Sequence, residues 1–529
     1  MTPPAASSVA APATTGGASD SPKSRPSWRE TLRILWDRRV LTLLFLGFSA
    51  GLPLLLIFSS LSLWLVEAGV ERKAVTFFSW AALGYSFKFI WAPLVDRLPL
   101  PLLTAWLGRR RAYLLLAQMG VVAAIVGMAS TDPAAGQASL TTMALFAVLL
   151  GFMSATQDIV IDAYRIEIAP PEQQGVLSSA YIAGYRLGMI VAGAGALFLA
   201  AHWGSTRESY QYEAWQQAYL VMALAMGVGI LTTLLVREPV VAPRERQPSG
   251  AHARLLAVFL CAVLAFVGVF WGWGQLFPAA GGGPLLGLLV EAVRMALSLA
   301  VAFGVGAGLV HLGLASREQA RETWVMPVLD FFRRYGARTA WLLLALVGLY
   351  RISDIVLGVI SNVFYQDMGF SKTEIAYAVK TFGVVISIVG GFLGGLLATR
   401  LGVMRSLFWG AVLAAATNLG FVALAFAGHD LALMYAVVSA DNLAAGFASA
   451  AFIAFLSSLT NVSFTAVQYA IFSSLMTLLP KTLGGYSGGM VDALGYPGFF
   501  TLTALMGLPV LLLVVTAGRQ LEIREHSPR

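Results

Sequence analysis

The chain has 529 residues, of which 58% are hydrophobic and only 12% are charged, and its mean hydropathy is +0.76. A soluble domain carries about 25% charged residues, so this composition excludes a water-soluble fold. The single cysteine, Cys261, excludes an intrachain disulfide and a cysteine-based metal site, and we expect neither a metal nor a cofactor. The net charge of +8 is spread over segments between apolar runs, which argues against a nucleic-acid partner.

The apolar runs are long enough to cross about 30 Å of hydrocarbon as helices, and they lack the alternation of membrane strands. Residues 1–33 are rich in Ala, Pro, Ser and Thr and are predicted to form a disordered tail. No basic leader with a short apolar core and a cleavage site precedes the first run, so we expect no removable signal peptide. We predict spans 1–6 near 41–66, 74–95, 112–130, 140–162, 176–201 and 215–236, an inserted pair near 254–277 and 285–314, and spans 7–12 near 339–365, 373–398, 404–427, 431–456, 463–483 and 497–518.

These runs predict an all-α membrane protein with about 14 transmembrane helices. Two inserted helices (254–314) separate an N-terminal six-helix half (34–238) from a C-terminal six-helix half (339–518), with a cytoplasmic loop at 315–338 and a cytoplasmic tail at 519–529. Most Lys and Arg residues fall in connections on the same side as both termini, so both termini are predicted to be cytoplasmic. We expect a multi-pass monomer embedded in a lipid bilayer.

The connections between spans 2 and 3 and between spans 8 and 9 carry related basic motifs. The first contains Asp96, Arg97, Gly108, Arg109 and Arg110, and the second contains Arg400, Gly402 and Arg405. Both resemble the short cytoplasmic loop signature of the major facilitator superfamily. Such loops hold helix ends together by charge pairs that break when the two halves rock. The alternative is that these basic residues only set the topology.

Span 4 ends with ionisable residues on one helix face, because Asp158, Asp162 and Arg165 are spaced i, i+4 and i+7. A charge at mid-span costs about 2.5–3.5 kcal/mol, so such residues usually serve a function. Two carboxylates one turn apart repel each other, and burial adds to this, so one of them could bind a proton near neutral pH. The alternative is that the acids lie at the cytoplasmic end, where Arg165 and the loop solvate them.

Span 7 offers a second polar face, on which Arg351 and Asp354 can form an i, i+3 pair that is either structural or part of a substrate path. We assign proton coupling to Asp158, Asp162, Asp354 and Asp441. We assign substrate contact to Lys88, Gln157, Tyr185, Arg186, Tyr350, Arg351, Asn362, Lys380 and Gln468.

The sequence lacks the short motifs of zinc enzymes and of ATP-driven transporters. It contains neither H-E-x-x-H nor G-x-x-x-x-G-K-[ST], so we expect neither a zinc enzyme nor ATP-driven transport by this chain. An ion gradient is the remaining source of energy, since one charge crossing 100 mV releases about 2.3 kcal/mol.

Several long runs resemble the AmpG muropeptide permease family of the major facilitator superfamily: Gly47–Leu56, Tyr85–Lys88, Trp91–Arg97, Ala155–Arg165, Gly184–Gly188, Phe364–Ile375 and Phe464–Ala470. The likeness extends over residues 34–517. It implies import of anhydromuropeptides with protons, from the periplasm to the cytoplasm across the inner membrane of a Gram-negative bacterium. It also implies a role in cell-wall recycling and, where that circuit exists, in the signal for β-lactamase induction.

Two alternatives stay open on the sequence. The first keeps the fold and changes the cargo to another anionic substrate such as acetyl-CoA. The second is a membrane sensor or scaffold that transports nothing. The charges inside the spans weigh against the second alternative, because a scaffold does not need charged side chains that face the interior of the bundle.

Overall fold

The computed structural model describes residues 34–70, 85, 87–206, 209–240, 249–276, 284–484 and 487–525. Every regular element in these residues is a helix, and twelve helical segments are long and apolar enough to cross a membrane. The predicted all-α membrane fold is thereby confirmed. Two of the fourteen predicted spans are missing from the twelve. Span 2 begins outside the described residues, and the apolar stretch of span 11, Val462–Leu478, is shorter than the others. The predicted tail 1–33 also lies outside the described residues.

The first long helix of the N-terminal half begins at Arg38 because Asp37 caps it. The Asp37 carboxylate accepts a hydrogen bond from the backbone N–H of Arg39 at 2.9 Å, which satisfies a donor that a helix start leaves free. Span 1 continues through Pro53 and breaks only at Phe58. The described helices of the spans in this half are Arg38–Ile57 and Ser59–Glu67 (span 1), Ala92–Arg97 (the end of span 2), Arg109–Ala129 (span 3), Gln137–Ile168 (span 4), Gln174–Ile190 and Ala196–His202 (span 5), and Tyr212–Ala225 and Gly227–Leu235 (span 6), and a short helix, Leu103–Leu107, lies between spans 2 and 3.

The inserted pair consists of Ser249–Leu276 and Pro284–His311, which pack against each other. The following segment, Arg317–Tyr335, was predicted as a loop but is helical, with a π-helical turn at Arg321–Val325. It starts where the Ser316 side chain caps the backbone N–H of Gln319. We call Arg317–Tyr335 the linker segment.

Three helices of the C-terminal half are irregular within the described residues, and the last of them is also longer than predicted. Span 7 is interrupted at Tyr350 and Arg351, and span 8 contains a π-helical stretch at Ala376–Phe382. Span 12 is irregular at Gly495 and Met506, and it continues to Glu525 because residues 519–525 contain neither Gly nor Pro, so most of the predicted tail is helical. The helices are Ala337–Leu349 and Ile352–Asp367 (span 7), Lys372–Ile375 and Gly383–Leu401 (span 8), Val403–Ala427 (span 9), Leu431–Leu459 (span 10), Thr465–Gly484 (span 11), and Ser487–Leu505 and Gly507–Glu525 (span 12).

Glycines allow close helix contacts inside each half. A methyl group added to Gly184 of span 5 would lie 1.8 Å from the carbonyl oxygen of Leu44 in span 1. In the C-terminal half, a methyl group on Gly390 of span 8 would lie 2.2 Å from the carbonyl oxygen of Leu443 in span 10. These helices can pack as they do only because no side chain separates their backbones.

The two halves touch where span 5 meets span 8. A methyl group on Gly175 would lie 2.9 Å from Cα of Gly395, and the Ser179 hydroxyl donates a hydrogen bond to the carbonyl oxygen of Gly391 at 2.6 Å. Both contacts lie at the end of the bundle that carries the start of span 1 and the linker segment. We call this end the linker face.

Candidate functional site

The two acids of span 4 lie beside a lysine from span 2 and a tyrosine from span 5. Lys88 Nζ is 3.7 Å from Asp162 Oδ2, and the Tyr181 hydroxyl donates to Asp158 Oδ1 at 3.1 Å. Arg165 approaches Asp162 from the other side, with Nη2 3.4 Å from Oδ1. We call these five residues the N-half cluster. In this cluster Asp162 lies between two cations, whereas Asp158 is held by a neutral hydroxyl.

Arg165 connects the N-half cluster to the opposite half. It is only 1% exposed, and its Nη1 donates to Gln174 Oε1 at 2.6 Å and to Ser457 Oγ at 2.9 Å. Its guanidinium also lies 5.1 Å from the ring centroid of Tyr469. Because Ser457 and Tyr469 belong to spans 10 and 11, a change at Asp162 can reach the contact between the halves through one side chain.

A second group of charges lies in the C-terminal half. Arg351 Nε donates to Asp354 Oδ2 at 3.1 Å, and Nη1 donates to Ser449 Oγ of span 10 at 2.7 Å. Asp441 of span 10 is close enough to interact electrostatically with Arg351 and Asp354. We call these four residues the C-half cluster. The side chains of Arg351 and Asp354 are 24% and 12% exposed, so solvent can reach a pair that lies inside the bundle.

Arg186 of span 5 lies between the two clusters. Its side chain is half-buried, and Arg351 of the other half is near enough to repel it. The neighbouring Tyr185 packs with Tyr181, the ring centroids being 6.0 Å apart. The sequence-predicted residues Asp158, Asp162, Lys88, Tyr185, Arg186, Arg351, Asp354 and Asp441 are therefore brought to the region where the two halves face each other.

Other predicted substrate contacts lie elsewhere. The Tyr350 hydroxyl donates to the carbonyl oxygen of Leu407 at 2.9 Å and its ring stacks on Phe452, inside the C-terminal half. Gln157 is fully buried, and within the described residues neither polar atom of its amide has a hydrogen-bond partner. The side chains of Asn362 and Lys380 lie outside the described part of the chain.

Gln468 lies at the linker face. Its Nε2 donates to Asp330 Oδ2 at 2.9 Å and to the carbonyl oxygen of Pro327 at 2.8 Å, and its Oε1 accepts from Arg334 Nη2 at 3.0 Å. The predicted substrate contact is thus an amide that attaches the linker segment to the first turn of span 11. The position of Gln468 near the start of its helix is the physical reason, since that turn is at the linker face.

The loop between spans 2 and 3 forms a buried ion network. Arg110 is 1% exposed, and its Nη2 is 2.8 Å from Asp96 Oδ1 and 2.5 Å from Glu167 Oε1. The second oxygen of Asp96 accepts from the backbone N–H of Val467 in span 11 at 3.2 Å. Arg109 Nη1 donates to the carbonyl oxygen of Asp96 at 2.8 Å. This network therefore joins three spans of one half and reaches into the other half.

The remaining loop residues shape the helix ends. Gly108 has a φ of +85°, which favours glycine, and it precedes span 3. Arg97 Nη1 is 3.0 Å from Glu322 Oε2 of the linker segment. In the second copy of the motif, Arg400 lies in the last turn of span 8, Gly402 separates spans 8 and 9 with a φ of +90°, and Arg405 lies exposed in the first turn of span 9.

Sequence reasoning missed most of the anionic partners of these arginines. Glu167 bonds Arg110, and Glu322 bonds Arg97. Glu238 accepts from the backbone N–H groups of Arg110 and Arg111 at 2.7 and 3.1 Å, and so caps span 3. A search for acids at the ends of spans that face a basic loop could have found Glu167 and Glu238. The pairing with Glu322 has no comparable local signal.

Comparison with known proteins agrees with this architecture. The family model described as Major Facilitator Superfamily matches residues 67–350. The anhydromuropeptide permease of Escherichia coli K12 is 31% identical over 492 residues, which cover 93% of this chain and 82% of the relative. A Rickettsia felis protein named as transporter AmpG 4 is 28% identical over 491 residues, covering 93% of this chain and 99% of that protein.

Solved structures show the same fold at low sequence identity. The proton:xylose symporter XylE superposes with a TM-score of 0.55 at 14% identity, over 90% of this chain and 94% of that chain. The human organic anion transporter MFSD10 gives a TM-score of 0.50 at 16% identity, over 90% and 99% of the two chains. These structures share the fold, and the family model and the two sequence relatives show that the chain belongs to the AmpG family of multi-pass membrane transporters within the major facilitator superfamily.

Proposed function

We propose that the protein imports anhydromuropeptides, the sugar–peptide fragments released during peptidoglycan turnover, from the periplasm to the cytoplasm across the bacterial inner membrane. The observation that carries this proposal is the 31% identity to the Escherichia coli anhydromuropeptide permease over 93% of the chain. The chemistry is compatible, because such substrates carry carboxylates and sugar rings, and the two clusters contain arginines and tyrosines. The imported fragments then serve cell-wall recycling and, where that circuit exists, the signal for β-lactamase induction.

The linker face is the cytoplasmic face in this proposal. Two observations support it: the loop motifs with Arg109, Arg110 and Arg405 lie there, and positive residues favour the cytoplasmic side. The described hydrogen bonds of Ser179 and Arg165 across the halves then close the cytoplasmic side. With the cytoplasmic side closed, a substrate would reach the partly exposed charges of the C-half cluster from the periplasmic side.

We assign the energy source to a proton gradient that acts on the N-half cluster. A proton on Asp162 would remove the negative charge that lies between Lys88 and Arg165. Arg165 would then be held mainly by Gln174 and Ser457, which changes the balance of contacts at the closed face. Asp158, one turn away, is a second carboxyl on which a proton can enter. Both acids lie on span 4, and so does Arg165, which makes the contact with the other half. A change in the charge of the acids and the contact between the halves are therefore linked through one helix.

Uptake into proteoliposomes tests the proposal. Purified protein is reconstituted with an inward proton gradient, and uptake of labelled anhydromuropeptide is compared with uptake of ordinary muropeptide and of acetyl-CoA. We expect gradient-dependent uptake of the anhydromuropeptide. Uptake of acetyl-CoA alone would assign the fold to another cargo, and absence of any flux in a protein that is correctly folded would favour a sensor.

Asp158→Asn tests the coupling separately from the cargo. We expect it to lose stimulation by the gradient while retaining exchange of labelled for unlabelled substrate, because exchange needs no net proton movement. Asp492→Asn is the matched control, since Asp492 is an exposed carboxylate at the start of span 12. Full gradient stimulation of Asp158→Asn would refute the role of Asp158, and loss of stimulation in both variants would show a nonspecific effect.

A further inference from the structure

Span 5 turns one face toward the opposite half between Gly175 and Arg186. Gly175 and Ser179 of this face touch span 8 directly. Arg186 follows Ser179 by about two helical turns on the same face, roughly 10 Å farther from the linker face. At that level Arg186 is half-buried. Its guanidinium is therefore aimed at the C-terminal half, at a level where the side chain is not sealed by packing.

Arg186 lacks an anionic partner among the described residues. The other arginines buried in the N-terminal half have one: Arg110 pairs with Asp96 and Glu167, and Arg165 pairs with Asp162. Across the described chain Arg186 makes neither a hydrogen bond nor an ion pair, and the charged side chain that acts on it is Arg351. A cation inside a membrane bundle is unfavourable unless it is paired, so this arrangement favours a ligand that supplies the negative charge.

Arg351 differs from Arg186 in how it is held. Asp354 and Ser449 fix its Nε and Nη1, which orients the guanidinium while leaving the side chain 24% exposed. A guanidinium fixed in this way can still donate through its remaining N–H groups, and the planar fork of Arg186 matches both oxygens of a carboxylate. One arginine from each half thus faces the same space.

We infer that Arg186 and Arg351 form a two-sided clamp for a carboxylate of the substrate's peptide portion, which binds between the halves. This inference rests on the proposed function, which supplies the substrate class, the anhydromuropeptides. It adds that a carboxylate is the recognised group and that Arg186 and Arg351 recognise it. Without substrate, the two like charges repel and keep the halves apart at this level. With a carboxylate between them, both arginines are attracted to the same anion, and binding draws the halves together.

Binding of matched ligands tests the clamp. Anhydromuropeptide with free peptide carboxylates is compared with the same molecule in which these are amidated, by equilibrium binding to the purified protein. We expect the wild type to prefer the acid by about 10- to 150-fold, the range for hydrogen bonds to charged groups. Arg186→Gln should lose most of the preference for the acid, because only Arg351 then meets the carboxylate, and Arg186→Lys should retain more of it than Arg186→Gln.

A control variant and the possible outcomes distinguish failure of the clamp from failure of the proposed function. Arg254→Gln removes an exposed arginine whose side chain bonds only within its own helix among the described residues, and it should retain the full preference. Unchanged affinity for the amide in Arg186→Gln shows that the variant is folded. A wild type without preference for the acid, or an Arg186→Gln variant that keeps the full preference of the wild type, overturns the clamp alone. Failure of the wild type to bind any anhydromuropeptide overturns the proposed function instead.

A distance measurement tests the closing action of the clamp. Spin labels are placed at Val66 and Val363, both exposed and both at the end of the bundle opposite the linker face, with Cys261 replaced by alanine. We expect the acid ligand to shorten the distance between the labels in the wild type, and the amide to leave it unchanged. Equal shortening by the acid and the amide would contradict the clamp. A shift with the acid in Arg186→Gln would contradict it as well.

Discussion

We expect removal of the Ser457 hydroxyl to weaken the contact between the halves while each half keeps its packing. Ser457 Oγ accepts from Arg165 Nη1 at 2.9 Å and donates to the carbonyl oxygen of Ile453 in its own helix at 2.7 Å. In Ser457→Ala the guanidinium keeps Gln174 and Asp162. A hydrogen bond to a charged group contributes about 1.5–3 kcal/mol. Because this bond exists only while the linker face is closed, we expect the open-to-closed ratio to rise by about 10- to 150-fold.

Ser458→Ala is the matched control for this prediction. Its hydroxyl also donates to a carbonyl oxygen in the same helix, that of Phe455 at 2.7 Å, but it is exposed and the described structure gives it no bond to the other half. Spin labels at Pro171 and Val462, both exposed at the linker face, report the separation by pulsed EPR in a background without Cys261. Ser457→Ala should populate longer distances than Ser458→Ala. Identical distance distributions for the two variants would refute the role of the Arg165 bond.

Two further predictions concern stability. Gly184→Ala should destabilise the fold by about 1–3 kcal/mol and so lower the thermal midpoint of the purified protein, because its methyl group would lie 1.8 Å from the carbonyl oxygen of Leu44. Gly227→Ala, with open space around the added methyl group, should leave the midpoint unchanged. Arg110→Ala should destabilise the fold by about 3–5 kcal/mol because it leaves two buried carboxylates without their shared cation. Arg111→Ala should cost less, since the Arg111 side chain bonds backbone carbonyl oxygens; equal losses in the two arginine variants would contradict this reasoning.

The sequence predicted the fold and the family because both depend on long apolar runs and on local motifs. The spacing of Asp158, Asp162 and Arg165 correctly indicated one shared face, since helical periodicity is a local property. The partner Ser457 could not be predicted, because it lies in the other half and an isolated serine carries no signal. Gln468 was assigned by its polarity inside an apolar run, but its depth along the helix, which decides what it contacts, depends on where span 11 begins.

The linker segment has a mechanical consequence. It is anchored to the N-terminal half through Glu322 and Arg97 and to the C-terminal half through Asp330 and Gln468, with one helix between the two anchors. A short rigid rod fastened at both ends cannot stretch as the halves rotate apart. One of the two anchors must break before the halves can rotate far. The transition should therefore occur as a single cooperative step and not as a gradual movement.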